Sequence, residues 1–74
     1  MNCLQFALYF SSKNPDYKIY YDGDHVINLR ENVNIQNFLP LEDYGKENIL
    51  NSFDETLYPI DRKRLNKYFE NNTK

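Results

Sequence analysis

The chain has a single cysteine, Cys3, no tryptophan, and only two glycines and three prolines in 74 residues. One cysteine excludes a disulfide within the chain, so we expect a reducing, cytoplasmic environment. So little glycine and proline excludes collagen-like and low-complexity structure. No run approaches the ~18 apolar residues of a membrane span. The apolar run Leu4–Phe10 also lacks the preceding positive charge of a secretion signal.

Aromatic and charged side chains are present in the proportions of a folded domain. Hydrophobic residues make up 41% of the chain, aromatic residues 16% and charged residues 27%, which argues against intrinsic disorder. We expect one domain, residues 1–74, that buries about 60% of the surface exposed by its unfolded chain. Such a small core leaves little room for a deep catalytic pocket.

The N-terminal segment alternates in the manner of a β-strand. Over residues 3–10, alternation puts one set of large apolar side chains on a single face. We expect that face to belong to the core and Tyr9 to lie on the opposite one. The predicted core set is Leu4, Phe6, Leu8 and Phe10.

Two runs rich in Tyr, Ile and Val, Tyr17–Tyr21 and His25–Leu29, flank the turn sequence Asp22-Gly23-Asp24. This pattern predicts a β-hairpin. A three-residue loop places Ile19 opposite Ile27 and keeps the aliphatic side chains on one face, whereas a two-residue loop would split them. Because a slip of one residue moves every side chain to the other face, we expect the three-residue loop.

From about Lys46 the apolar spacing becomes helical, and Pro59 separates this helix from a second one that ends near Asn71. The segment between hairpin and helices contains Val33 and Ile35, which form either a fourth strand or an extended connector. Strands followed by helices predict an α+β fold: a small antiparallel sheet of three or four strands with two C-terminal helices packed on one face. The first helical stripe is Ile49, Leu50, Phe53 and Leu57.

Charge is unevenly distributed along the chain. Residues 1–59 carry a net charge of −5 and residues 60–74 carry +3. The basic C-terminal helix is either a solvated face or a patch for nucleic acid, and the low pI of about 5.2 disfavours the second interpretation. The candidate nucleic-acid-binding residues are Arg62, Lys63, Arg64 and Lys67.

Seven tyrosines are too many for so small a core, so some should be exposed, either on a sheet surface that contacts no partner or at an interface. The predicted strands place Tyr9 and Tyr20 on the sheet face that the helices leave open, where they would contact a partner protein or a second copy of the chain. Acidic residues could add to that surface by imitating a nucleic-acid backbone. The candidate partner-binding residues are Tyr9, Tyr20, Asp22, Asp24, Glu42, Asp43 and Glu47.

Only one group of side chains has the composition of a catalytic or metal site. Asp22, Asp24 and His25 combine two carboxylates with an imidazole, but adjacent residues of a tight turn point apart, and turn formation explains them. Cys3 has no nearby cation, and the serines and glycines form no nucleophile or phosphate-loop motif. We therefore expect no enzyme activity, no catalytic residues, no metal and no cofactor.

Our leading hypothesis is a small non-enzymatic binding protein. Eleven asparagines and many Lys, Ile and Tyr residues indicate an A/T-rich coding sequence of the kind found in mobile elements. The hypothesis is a phage-type accessory inhibitor, of the anti-CRISPR kind, that blocks a basic groove on a larger host protein such as a defence nuclease. The alternative is a small RNA- or DNA-binding module that uses the basic C-terminal helix. A minimal enzyme built on the acidic turn ranks third.

Overall fold

The computed structural model describes residues 2–30, 35–53 and 56–72. It has the predicted α+β fold, with a three-stranded antiparallel sheet and C-terminal helices. The sheet order is β2-β1-β3, so β1 is the central strand. The elements in chain order are α1 (Cys3–Lys13), β1 (Lys18–Tyr21), β2 (Val26–Leu29), β3 (Leu39–Pro40), α2 (Leu41–Tyr44), α3 (Lys46–Phe53) and α4 (Pro59–Asn72).

The prediction of a strand over residues 3–10 is wrong, because this segment forms helix α1. Its first turn is closed by a capping box. The Asn2 side chain accepts a hydrogen bond from the Gln5 backbone N–H at 2.8 Å, and the Gln5 side chain accepts one from the Asn2 N–H at 3.0 Å. Two of the backbone donors left free at a helix start are thereby satisfied.

The buried side of α1 follows helical spacing rather than alternation. Phe6, which the strand prediction placed in the core, is 54% exposed, and Phe10 is only half-buried. Residues three and four apart lie on one face of a helix, so a mixture of large and small side chains meets the core instead. These residues are Leu4, Gln5, Ala7, Leu8 and Ser11.

The predicted hairpin is present, but its predicted register is wrong. Strands β1 and β2 pair antiparallel with Ile19 opposite Asn28 and Tyr21 opposite Val26, so the connection has four residues, Asp22–His25. The Asp22 carboxylate accepts hydrogen bonds from the backbone N–H groups of Asp24 and His25, at 2.8 and 2.6 Å. A side chain that bonds the backbone of its own turn stabilises this longer loop.

The predicted open face at Tyr20 is also wrong. Ile19, Tyr20 and Tyr21 are all buried, and Tyr20 is only 4% exposed, so both faces of β1 are covered. On the Ile19 face, the Asn28 amide donates to the Ala7 carbonyl of α1 at 3.2 Å. Of the proposed fourth strand, Val33 lies outside the described residues and Ile35 lies outside the strands. Strand β3 was not predicted.

The two C-terminal helices are confirmed as α3 and α4. Helix α4 begins at Pro59, where proline is well tolerated because a first-turn N–H has no intrahelical partner. It packs along α1, and the Tyr68 hydroxyl reaches the Ile19 backbone N–H of the central strand at 2.9 Å. The largest fully buried side chains come from helices α1 to α4 and the central strand: Leu4, Leu8, Ile19, Leu41, Ile49 and Leu65.

Candidate functional site

A cleft of about 510 Å³ lies between the C-terminal half of α1 and helix α4. We call it the basic groove. Five cationic side chains line it, and none of the described residues that line it is acidic. The cations come from α1, the start of β1 and α4: Lys13, Lys18, Lys63, Arg64 and Lys67.

Helix packing explains why these distant residues meet. Near its start α1 contacts the start of α4, where the Gln5 side-chain amide donates to Asp61 at 2.9 Å. One turn later on both helices, the Tyr9 ring lies 5.2 Å from the Arg64 guanidinium carbon. Later turns of one helix thus meet later turns of the other, so the helices run in the same direction. Their C-terminal halves then bring Lys13 beside the cations of α4.

Helical spacing aligns the cations of α4. Lys63 and Lys67 are four residues apart, so they share a face, and Arg64 lies beside them on the same side. Among the described residues, Lys13, Lys63 and Lys67 have no carboxylate within ion-pair distance. Three positive charges of the groove are therefore available to a ligand.

Arg64 is held in place by its surroundings. Its guanidinium lies 3.8 Å from Asp61 Oδ1 and over the Tyr9 ring, and its side chain is half-buried. Asp61 is only 4% exposed and is itself fixed by hydrogen bonds from the Gln5 amide and the Tyr58 backbone N–H, at 2.9 and 3.0 Å. An oriented guanidinium loses little side-chain freedom when it binds an oxyanion.

The floor of the groove is tied to the sheet through Tyr68. Its hydroxyl accepts a hydrogen bond from the Ile19 N–H and donates one to the Glu42 carboxylate at 3.3 Å. Burial, followed by the nearby Glu42 charge, raises the pKa of Tyr68 well above its ordinary range. At one end of the groove the Lys18 ammonium donates to the Asn72 side chain.

An aromatic ridge flanks the basic groove on α1. Tyr9 is 47% exposed, and its ring also lies 5.8 Å from the Lys13 ammonium nitrogen. Phe6, one turn earlier, is exposed and stacks on Phe10 with the ring centroids 6.0 Å apart. The structure therefore joins Tyr9, predicted to bind a protein partner, to Arg64, predicted to bind nucleic acid.

The other candidate partner-binding residues are spread over several elements. Tyr20 is buried and offers a partner almost no surface, which corrects the prediction of an exposed ring. Asp22 forms the hairpin turn, and the backbone N–H groups that donate to it lower the pKa of its carboxyl. Glu42 in α2 bonds Tyr68. The remaining acids are exposed in the hairpin turn, α2 and α3: Asp24, Asp43 and Glu47.

The acidic turn does not assemble a site. His25 Nε2 lies 3.3 Å from Asp24 Oδ2, with both side chains largely exposed, while Asp22 bonds the backbone. Within residues 2–30, 35–53 and 56–72, no group of three or more His, Cys, Asp or Glu side chains is arranged to hold a metal ion. The absence of enzyme activity and of cofactors stays a prediction.

The sequence patterns missed two of the five groove cations, Lys13 and Lys18, because they predicted a strand over residues 3–10 and so gave no cleft between two helices. They included Arg62, which is exposed but does not line the groove. The signal that could have found Lys13 is the pairing of Asn2 with Gln5, which marks a helix start. A helix from that point would present Tyr9 and Lys13, four residues apart, on one side.

Comparison with known proteins adds no relative. No family model, curated protein or solved structure matches the chain. In the part of the chain that the structure describes, no helix has the length and apolar character needed to cross a membrane.

Proposed function

We propose that the protein is a non-enzymatic nucleic-acid-binding protein whose basic groove contacts the phosphate backbone. The observation that carries this proposal is the convergence of five cationic side chains on one cleft with no acid among its described lining residues. Phosphate oxygens are the natural partners of clustered Lys and Arg side chains. An exposed aromatic ring beside such cations is the second element of many nucleic-acid surfaces.

The size of the groove sets the expected strength of binding. Each phosphate that a cation neutralises on a single strand contributes about −0.7 to the slope of log K against log salt concentration. If all five cations engage, the slope is about −3.5. We therefore expect affinity in the range of non-specific binders, about 10⁻⁴ to 10⁻⁶ M at physiological salt.

The inhibitor hypothesis stays a prediction, and the geometry favours it less. Its acidic residues lie on the hairpin turn, α2 and α3, and two of them already accept intramolecular hydrogen bonds: Asp22 from its turn and Glu42 from Tyr68. Such bonds occupy carboxylate oxygens that a basic partner would otherwise contact. A nucleic-acid ligand inside the cell is compatible with the reducing compartment that the single cysteine predicts.

The test compares two double variants with equal charge change. Lys63→Ala with Lys67→Ala removes two groove cations, while Arg30→Ala with Lys46→Ala removes two exposed cations that do not line the groove. Binding of a fluorescently labelled single-stranded oligonucleotide is followed by anisotropy from about 50 to 200 mM salt. Circular dichroism melts verify that each variant folds.

We expect the groove variant to lose about 1.4 from the magnitude of the salt slope, because two phosphate contacts disappear. The control variant should keep the slope of the original protein. Absence of binding at the lowest salt, or an equal loss in both variants, would refute the proposal.

A further inference from the structure

We infer that the nucleic acid bound in the basic groove is single-stranded and that one base stacks on the Tyr9–Arg64 pair. This inference rests on the proposed function and specifies its ligand. It gives a reason for the exposed Tyr9 ring beside the groove, which the phosphate contacts alone do not explain.

The first observation is the position of Tyr9. Tyr9 is 47% exposed and lies away from the side of α1 that packs on the sheet. Two groove cations, Lys13 and Arg64, lie 5.8 and 5.2 Å from the ring centre. A backbone phosphate held by these cations would bring its attached base within reach of the Tyr9 ring.

The second observation is that Arg64 and Tyr9 form a paired surface. Unpaired bases stack on aromatic rings and on the planes of arginine guanidinium groups. Here the two groups are in contact, and the guanidinium is oriented by the buried Asp61 carboxylate. The pair is therefore in place before a base arrives, which reduces the entropy lost on binding.

The third observation is the shape of the site. The groove is a cleft of about 510 Å³ between two packed helices. The flexible backbone of a single strand can adapt its path to such a cleft. A duplex presents a convex row of phosphates and keeps its bases stacked inside, so it would leave the Tyr9 ring without a partner.

A purely structural role for Tyr9 makes a different prediction. If the ring serves only to hold Arg64, its removal should weaken every phosphate ligand equally. If the ring stacks on a base, its removal should weaken ligands that carry accessible bases more than ligands that lack them. The two roles are separated by probes that share a backbone.

The experiment uses the full chain and three labelled probes of equal length: single-stranded oligothymidylate, an abasic deoxyribose-phosphate strand, and a DNA duplex. The variants are Tyr9→Leu, which removes the ring, and Tyr9→Phe, which retains it. Tyr58→Leu is the matched control, because Tyr58 is 69% exposed and, among the described residues, no groove cation lies over its ring as Lys13 and Arg64 do over that of Tyr9. An oligouridylate probe extends the series to RNA.

We expect the original protein to prefer the thymidylate strand to both other probes. Tyr9→Leu should weaken thymidylate binding about fivefold more than abasic binding, the factor that corresponds to about 1 kcal/mol of stacking. Tyr9→Phe and Tyr58→Leu should bind thymidylate like the original protein.

The possible failures are distinguishable. Equal binding of the thymidylate and abasic strands, or an equal loss on both in Tyr9→Leu, refutes base stacking but leaves the groove as a phosphate site. Preference for the duplex refutes the single-stranded ligand alone. Absence of binding to all probes at low salt refutes the proposed function together with this inference.

Discussion

The hydroxyl of Tyr68 bonds the central strand at Ile19, a residue that β3 does not pair with. Strand β3 pairs with Tyr20 and Tyr21 of the central strand but not with Ile19. The Tyr68 hydroxyl supplies the acceptor for the buried Ile19 N–H, at 2.9 Å. The substitution Tyr68→Phe removes that acceptor and retains the ring, which contacts Phe69 edge to face.

The expected cost follows from what the substitution leaves behind. Removing one partner of a buried hydrogen bond costs about 1–3 kcal/mol, because the remaining donor stays out of contact with water. The substitution removes no carbon from the apolar core, and the half-buried Glu42 carboxylate loses one donor. We therefore expect Tyr68→Phe to lower the free energy of unfolding by about 2 kcal/mol.

This loss is large for the molecule. At 0.05–0.15 kcal/mol per residue, a chain of this length has a total stability of roughly 4–11 kcal/mol. For a domain of this size, 2 kcal/mol corresponds to a Tm lower by roughly 8–16 °C.

Urea and thermal unfolding followed by circular dichroism measure the effect. The control is Tyr58→Phe, which removes an exposed hydroxyl and should change stability by less than about 0.5 kcal/mol. If Tyr68→Phe is as stable as this control, the Ile19 N–H does not depend on the hydroxyl and the reasoning is refuted.

Three further predictions concern pH, the first helix and the helix contact. Burial raises the pKa of Tyr68 in the folded state above its ordinary value of about 10. The contribution of its hydroxyl to the free energy of unfolding should therefore be complete below about pH 10 and be lost as the pH rises further. Urea unfolding at alkaline pH should accordingly show a smaller loss of stability in Tyr68→Phe than in the original protein. Asn2→Ala breaks the capping box with Gln5 and should cost about 1 kcal/mol, with Asn2→Asp as the control that retains an acceptor. Asp61→Ala leaves the Gln5 amide without one acceptor and the Tyr58 N–H unpaired, so thermal unfolding should report a loss of about 2–3 kcal/mol; a loss no larger than that of the exposed control Asp43→Ala would contradict this.

The N-terminal segment shows where sequence patterns mislead. Residues 3–10 fit two patterns. Leu4, Phe6 and Leu8 alternate as in a strand, and Leu4, Ala7 and Leu8 have helical spacing. The alternating pattern collects the larger apolar side chains on one face, so it is the pattern that leads to the prediction of a strand. The second pattern is realised, since the capping box closes the first turn and small Ala7 permits close packing on the sheet.

The hairpin register failed for a related reason. The prediction assumed that one face of β1 is open, so that only one set of side chains needed burial. Ile19, Tyr20 and Tyr21 are all buried, and with both faces covered the alternation rule no longer selects a register. The turn then decides, and Asp22 bonds the backbone of a four-residue loop.

The basic groove could not be derived from the charge of the whole chain. A net charge of −2 and a low pI argue against binding to nucleic acid when charge is treated as a single quantity. At physiological salt, however, exposed charges act over only about 8 Å, so a ligand in the groove responds to the cations around it. Parallel packing of α1 and α4 gathers five cations there, while the rest of the chain, at −7, carries its excess of acids elsewhere. Under the proposed function, those acids would also disfavour phosphates outside the groove, so the same charge distribution that lowers the pI would direct a nucleic acid to one cleft.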